Sequence, residues 1–133
     1  MRFMLDTNIC IFLIRQKPAK LLDRFKRYSV GDIGLSSVTL AELEYGVAKS
    51  NQPERNRQAL AEFALPLEIA GFGTEAARAY GAVRASLESR GTPIGALDTL
   101  IGAHALSLGT TLVTHNVREF RRIPKLKVVD WTT

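Results

Sequence analysis

The sequence predicts an α/β fold: a single domain over residues 1–133, with a central, mostly parallel β-sheet flanked by α-helices. Two observations carry that expectation. Short strand-like apolar runs alternate with helical stretches along the whole chain, so successive strands are joined by crossover helices on both faces of the sheet. Carboxylates also sit where apolar runs end: Asp6 after Phe3-Met4-Leu5, Glu42 shortly after Ile33-Gly34-Leu35, and Asp98 after Ile94-Gly95-Ala96-Leu97. Open α/β sheets bind ligands in the crevice outside the carboxyl ends of their strands, where three such acids would converge.

The elements follow in order. A strand at 2–5 leads into Asp6-Thr7-Asn8, a run of helix-starting residues, and a helix from about 8 to 16. Pro18 opens a second helix to about 27, before a strand near 32–36 and a helix from about 39 to 49. Asn51-Gln52-Pro53 breaks the chain, and Pro53 suits the first turn of a helix to about 64. A short strand at 66–70, a long helix at 74–90 and the loop Gly91-Thr92-Pro93 come next. A helix from 98 closes near Gly109, a residue suited to the position just past a helix end. The final strands are Thr111–Thr114 and Lys127–Asp130, and no linker, repeat or low-complexity segment interrupts the pattern.

Composition bounds the function. Hydrophobic residues at 46% and charged residues at 23% match a globular protein with a real core. No apolar stretch is long enough to span a bilayer, and an acid interrupts the N-terminal segment before a signal-peptide core forms, so the expected location is cytoplasmic. The single cysteine, Cys10, excludes a disulfide framework and a cysteine-based zinc site; within Ile9-Cys10-Ile11-Phe12 it reads as a small core residue. The net charge of +5 is concentrated at the two ends. Residues 1–27 hold seven bases against two acids, and Arg118, Arg121, Arg122, Lys125 and Lys127 face only Glu119. Two basic ends that fold together make one positive face, suited to a polyanion or an acidic protein.

Singly, each of the three acids has a capping explanation: Asp6 and Asp98 at helix starts, and Glu42 as the last residue of a Thr39-x-x-Glu42 capping box. Capping, however, requires no common place on the sheet, whereas catalysis needs all three at one rim. Converging carboxylates without Cys or His partners suit a hard divalent cation, Mg²⁺ or Mn²⁺. On a basic chain the use of such an ion is cutting a phosphodiester. The expected division makes Asp6 and Asp98 direct metal ligands, with Glu42 binding through water or positioning the nucleophile. Thr114 and Asn116, at the end of a strand, offer a hydroxyl and a neutral oxygen as support, with ordinary turn chemistry as the competing explanation. His115 lacks a histidine partner at metal-ligand spacing and His104 lies mid-helix, so neither is assigned a catalytic role.

These segments resemble the PIN-domain nucleases, and closely the VapC-type toxins of bacterial toxin–antitoxin pairs. The likeness runs through Phe3-Met4-Leu5-Asp6-Thr7-Asn8, Ser36-Ser37-Val38-Thr39-Leu40-Ala41-Glu42-Leu43, Pro93–Asp98, Leu112–Phe120 and Val129-Asp130-Trp131, in that order. The resemblance implies a PIN fold, Mg²⁺- or Mn²⁺-dependent endoribonuclease activity with Asp6, Glu42 and Asp98 as catalytic acids, and inhibition by a cognate VapB-type antitoxin. It also implies a homodimer and a specific tRNA as substrate, the initiator tRNA being the target indicated for close relatives. Two departures stand out. Asn116 occupies a place where many PIN domains carry a fourth acid, and Glu119, three residues on, either supplies that charge or is a solvated residue in a short helix; Leu97 stands where relatives are often polar. Arg15, Lys17, Arg118, Arg121 and Arg122 are then the expected RNA-backbone contacts.

Three readings compete. Gly71-Phe72-Gly73-Thr74-Glu75-Ala76 has the spacing of a dinucleotide-binding turn, but lies mid-chain with no strand-borne acid about 20 residues on. A non-catalytic, basic nucleic-acid-binding module would use its acids only as caps, and a DNA-directed nuclease would share the same fold. Leu40, Leu43, Tyr45, Val47 and the apolar residues of 59–65 form either a dimer face or intramolecular core.

Overall fold

The computed structural model describes all of residues 1–133. Its five strands are β1 (Phe3–Leu5), β2 (Ile33–Ser36), β3 (Glu68–Ala70), β4 (Thr111–Val113) and β5 (Val128–Val129). They form one sheet in the order β3-β2-β1-β4-β5. Every pairing is parallel, with Met4 opposite Gly34 on one side and Leu112 on the other. The expected mostly parallel sheet is therefore wholly parallel. Seven α-helices supply the connections: α1 (Thr7–Ile14), α2 (Ala19–Lys26), α3 (Ser37–Ala48), α4 (Pro53–Ala64), α5 (Thr74–Ser89), α6 (Ala96–Leu108) and α7 (Val117–Phe120).

Side-chain alternation in the central strands divides the core into two layers. Leu5, Leu35 and Val113 point to one face, where Ile9, Cys10 and Leu13 of α1, Leu21 of α2, Leu43 and Val47 of α3 and Leu60 of α4 close over them. Met4 and Leu112 point to the other, against Val83 and Leu87 of α5, Ile101, Ala103 and Ala105 of α6, and Phe120 and Ile123. Cys10 is a fully buried core residue, and burial pushes its thiol pKa well above the usual range. The C-terminus is fastened by Trp131, 1% exposed, which stacks on Tyr28 and meets Phe3 edge-on. No helix is long and apolar enough to cross a membrane.

Local chemistry explains the helix ends. Ser36 caps α3, its hydroxyl accepting from the Val38 amide at 3.0 Å, so the helix starts two residues before the expected Thr39. Pro53 opens α4 as expected. α6 starts at Ala96 behind Gly95, with no side-chain cap, and ends on Gly109 at φ 66°. Leu43, Val47 and Leu60 are core, whereas Tyr45 and Leu65 stay exposed at 66% and 86%, so only part of the expected dimer face is free.

Candidate active site

The strand order sets the location. The chain runs outward from β1 through β2 to β3, then returns to place β4 on the other flank of β1. The crevice at the carboxyl ends of β1 and β4 is thus the topological switch point, where open α/β sheets bind ligands. Asp6 follows β1 directly, and Thr114-His115-Asn116 follows β4. Glu42 comes from α3 after β2, and Asp98 from the first turn of α6.

Asp6 is 5% exposed and caps α1, its carboxylate accepting from the Ile9 amide at 2.9 Å. Burial pushes its pKa up and the Glu42 charge adds to the rise; the Thr114 hydroxyl, the Ile9 amide and His115 oppose it. Capping and a place at the rim coincide in this residue. They separate in the other two acids. Glu42 is not a capping-box partner, because Ser36 already caps α3; its Oε1 instead accepts a 2.6 Å hydrogen bond from the Thr7 hydroxyl of α1. Thr39, the other half of the expected box, has a buried hydroxyl without a partner. Asp98 does not cap α6, being inside its first turn. Its pKa is pushed up to about 6, first by burial and then by the charges of Asp6, Glu119 and Glu42.

The carboxyl of Asp98 therefore feels three others drawn from separate segments. Glu119 enters the group through Asn116, whose amide donates to Glu119 Oε2 at 2.6 Å. The neutral Asn116 thus holds an acid in the field of the other three. Thr114 is fully buried; its hydroxyl accepts from the Asn116 amide at 2.9 Å and contacts the Asp6 carboxylate. The donor set, hard carboxylate oxygens carrying uncompensated negative charge, fits a divalent cation in type and in charge. The acids are not drawn into a closed cage: no three His, Cys, Asp or Glu side chains converge tightly enough to hold an ion as they stand. Asp98 and Asp6 are the candidates for direct ligation, with Glu42 and Glu119 beside them.

Of the expected backbone contacts, Arg15 is exposed beside Glu42 in a cleft between α1, α3 and α4, and Lys17, Arg118 and Arg121 are exposed. Arg122 is half-buried, and its guanidinium donates to the Pro93 carbonyl at 3.1 Å, bracing the loop before Asp98. Leu97 is 46% exposed in a groove it shares with Thr7, Glu42 and Tyr45, so it forms the wall beside the acids. His104 is buried against the end of β2, its Nδ1 2.8 Å from the Ser36 hydroxyl, where burial lowers its pKa; it joins α6 to β2. Gly71 and Gly73 are turn residues before α5. Sequence reasoning missed Thr7 as the partner of Glu42 and took it only as a helix starter; the signal was its place directly after Asp6.

Comparison with known proteins agrees with this fold. The PIN domain matches residues 3–126. The chain is 45% identical over 131 residues to the tRNA(fMet)-specific endonuclease VapC of Salmonella typhimurium, covering 98% of each. It is 42% identical over 132 residues to ribonuclease VapC2 of Rickettsia felis, again covering 98% of each. Among solved structures, it is similar to a chain of the DNA-bound VapBC of Salmonella typhimurium, with a TM-score of 0.93 and 45% identity over 98% of both chains. It is likewise similar to a chain of VapBC2 from Rickettsia felis bound to a promoter DNA fragment, with a TM-score of 0.91 and 40% identity over 98% of this chain and 99% of that one. The chain belongs to the PIN-domain family, among its VapC ribonucleases.

Proposed function

We propose that this protein is the endoribonuclease toxin of a VapBC-type toxin–antitoxin pair, a hydrolase that uses Mg²⁺ or Mn²⁺ to cut a specific tRNA, the initiator tRNA, in the cytoplasm. The observation that carries the reading is the carboxyl of Asp98, raised to about 6 by burial and by the three other acids at the switch point. Helix capping accounts for Asp6 alone among these acids, and neither Glu42 nor Asp98 serves as a cap. The names of the two relatives, an initiator-tRNA endonuclease and a ribonuclease, support the activity and its target.

Asp6 and Asp98 would hold the divalent cation, which when bound would supply an activated water and charge neutralisation at the phosphate. Glu42, steadied by Thr7, orients the attacking water, and Thr114 and Asn116 keep Asp6 and Glu119 in place. Arg15, Lys17, Arg118 and Arg121 hold the RNA backbone, while Arg122 keeps the Asp98 loop in register. A cleft of about 470 Å³ lined by Ile11, Ile14, Leu43, Val47 and Leu60, with Arg15 and Lys49 on its walls, suits an antitoxin segment with apolar and acidic side chains. The exposed Tyr45 and Leu97, beside one groove, support a homodimer.

The test is incubation of the protein with total tRNA, with Mg²⁺ or with a chelator, followed by mapping of the new RNA ends. The expected result is one cut in initiator tRNA, lost with the chelator and in Asp6→Ala and Asp98→Ala while tRNA binding persists. Binding without cleavage by the unmutated protein on any RNA would instead identify a non-catalytic nucleic-acid-binding module, and preferential cutting of DNA would change the substrate class.

A further inference from the structure

One group at the rim has a fixed placement that the carboxylate chemistry does not use. The Thr114 amide donates to the Val129 carbonyl at 3.0 Å, so the chain leaves β4 beside the C-terminal segment. Here His115 Nδ1 lies 3.2 Å from Asp130 Oδ2 and 3.0 Å from the Thr132 hydroxyl oxygen. The only hydroxyl proton of Thr132 goes to Asp130 Oδ1 at 2.6 Å, and the Thr132 amide donates to the same oxygen at 2.8 Å. Both neighbours of Nδ1 are therefore acceptors, and Nδ1 carries the proton. Asp130 stays ionised: burial alone would raise its pKa, but the Thr132 donors and His115 more than offset it and hold it low.

The support extends into the core. Asp130 precedes the buried Trp131, packed on Tyr28 and Phe3, so its position is fixed by the aromatic cluster. The imidazole also meets the Phe12 ring edge-on at 6.4 Å between centroids. Despite these contacts the His115 side chain is 63% exposed. Asp130 and Thr132 are tied to each other without the ring, and a contact whose histidine is this exposed contributes little stability. Its place is informative: His115 adjoins Thr114, which contacts Asp6.

We propose that His115 is a substrate-contacting residue of this centre, whose free Nε2 binds the sugar–phosphate backbone of the RNA, with Asp130 and Thr132 as positioning residues that fix the ring through Nδ1. This rests on the nuclease reading above. A backbone running through the carboxylate crevice passes the end of β4, and an imidazole held from behind meets it with little loss of side-chain freedom.

The experiment compares the unmutated protein with His115→Ala, His115→Gln and Asp130→Asn, reading steady-state cleavage of total tRNA in Mg²⁺, tRNA binding by fluorescence anisotropy, and melting temperature. His115→Ala should raise KM and the dissociation constant roughly three- to tenfold, the worth of one hydrogen bond, with kcat and melting temperature little changed. His115→Gln should recover part of the loss, and Asp130→Asn should give a smaller rise in KM than His115→Ala. Unchanged KM and binding in His115→Ala would overturn the proposal, and a lowered melting temperature alongside would assign the cluster to fastening the C-terminal strand. If the unmutated protein binds tRNA but cuts nothing, and binding still weakens in His115→Ala, the nuclease reading fails and the RNA contact stands.

Discussion

The Thr7 hydroxyl and the Glu42 carboxylate meet at 2.6 Å across thirty-five residues of sequence, joining the first residue of the helix after β1 to the helix after β2. A hydrogen bond to an ionised acceptor is short and about twice as strong as a neutral one. It sets where Glu42 stands relative to Asp6, one residue before Thr7. Thr7→Val keeps the side-chain shape and removes the donor. Cleavage should fall about ten- to a hundredfold, because a catalytic group displaced by about 1 Å costs that much. Stability should fall by only about 1 kcal/mol. Single-turnover cleavage beside urea unfolding checks both, and an unchanged rate would remove Thr7 from the machinery.

Asp6 serves as both cap and rim carboxylate, and two substitutions separate the roles. Asn is as good a cap as Asp, whereas Ala loses about 1 kcal/mol of capping. Asp6→Asn should therefore fold with at least the stability of the unmutated protein in a chelator, since it also removes a buried charge beside Glu42. Asp6→Ala should be about 1 kcal/mol less stable than Asp6→Asn. Both should lose cleavage and the metal-induced rise in melting temperature. Retained cleavage in Asp6→Asn would show that the cap is its whole contribution.

What the sequence reveals and what it hides divide along physical lines. Alternating apolar runs and helical stretches give the parallel sheet, because each strand must be crossed by a helix before the next can pair in parallel. Turn chemistry placed Pro53 at the start of α4 and Gly109 at the end of α6. The ends of α3 and α6 came out differently, since Ser36 caps α3 ahead of Thr39 and the backbone at Gly95 starts α6 without a side-chain cap. The three acids were legible because each closes an apolar run. Their partners were not: Thr7 with Glu42, and His115 with Asp130 and Thr132, depend on how separate elements pack side by side. Asn116 and Glu119, three residues apart, were legible as neighbours on a short helix, but not the hydrogen bond between them, which depends on side-chain orientation.

Two glycines in the fold should respond differently to the same added methyl group. A Cβ on Gly34 of β2 would stand 2.6 Å from the Glu68 carbonyl oxygen of β3, a backbone atom fixed by the sheet. A Cβ on Gly102 of α6 would press on the Cδ1 methyl of Ile123, a side-chain tip rather than backbone, and Ala adds helix propensity worth up to about 1 kcal/mol. Gly34→Ala should cost about 1–3 kcal/mol, the usual cost of overpacking. Gly102→Ala should cost clearly less. Urea midpoints measured side by side decide it, and equal losses would mean that Ile123 is as immobile as the sheet backbone.

The pH dependence of the metal-free protein follows from Asp98. A carboxyl whose pKa is higher folded than unfolded contributes stability below its unfolded pKa, and that contribution is lost as the pH rises through its folded value of about 6. Asp6, also raised, acts in the same direction. In a chelator the protein should therefore be less stable at about pH 7.5 than at about pH 5. Asp98 is partly solvated, so screening reduces the difference to the order of 1 kcal/mol. Asp98→Asn should flatten the profile and be the more stable protein at the higher pH. Mg²⁺ reverses the loss by binding the ionised form, so its stabilisation should be larger at about pH 7.5 than at about pH 5 and smaller in Asp98→Asn. Melting curves at both pH values, with and without Mg²⁺, make the comparison in one series. A metal-induced shift equal in the two proteins would mean that the ion binds somewhere other than this carboxylate cluster.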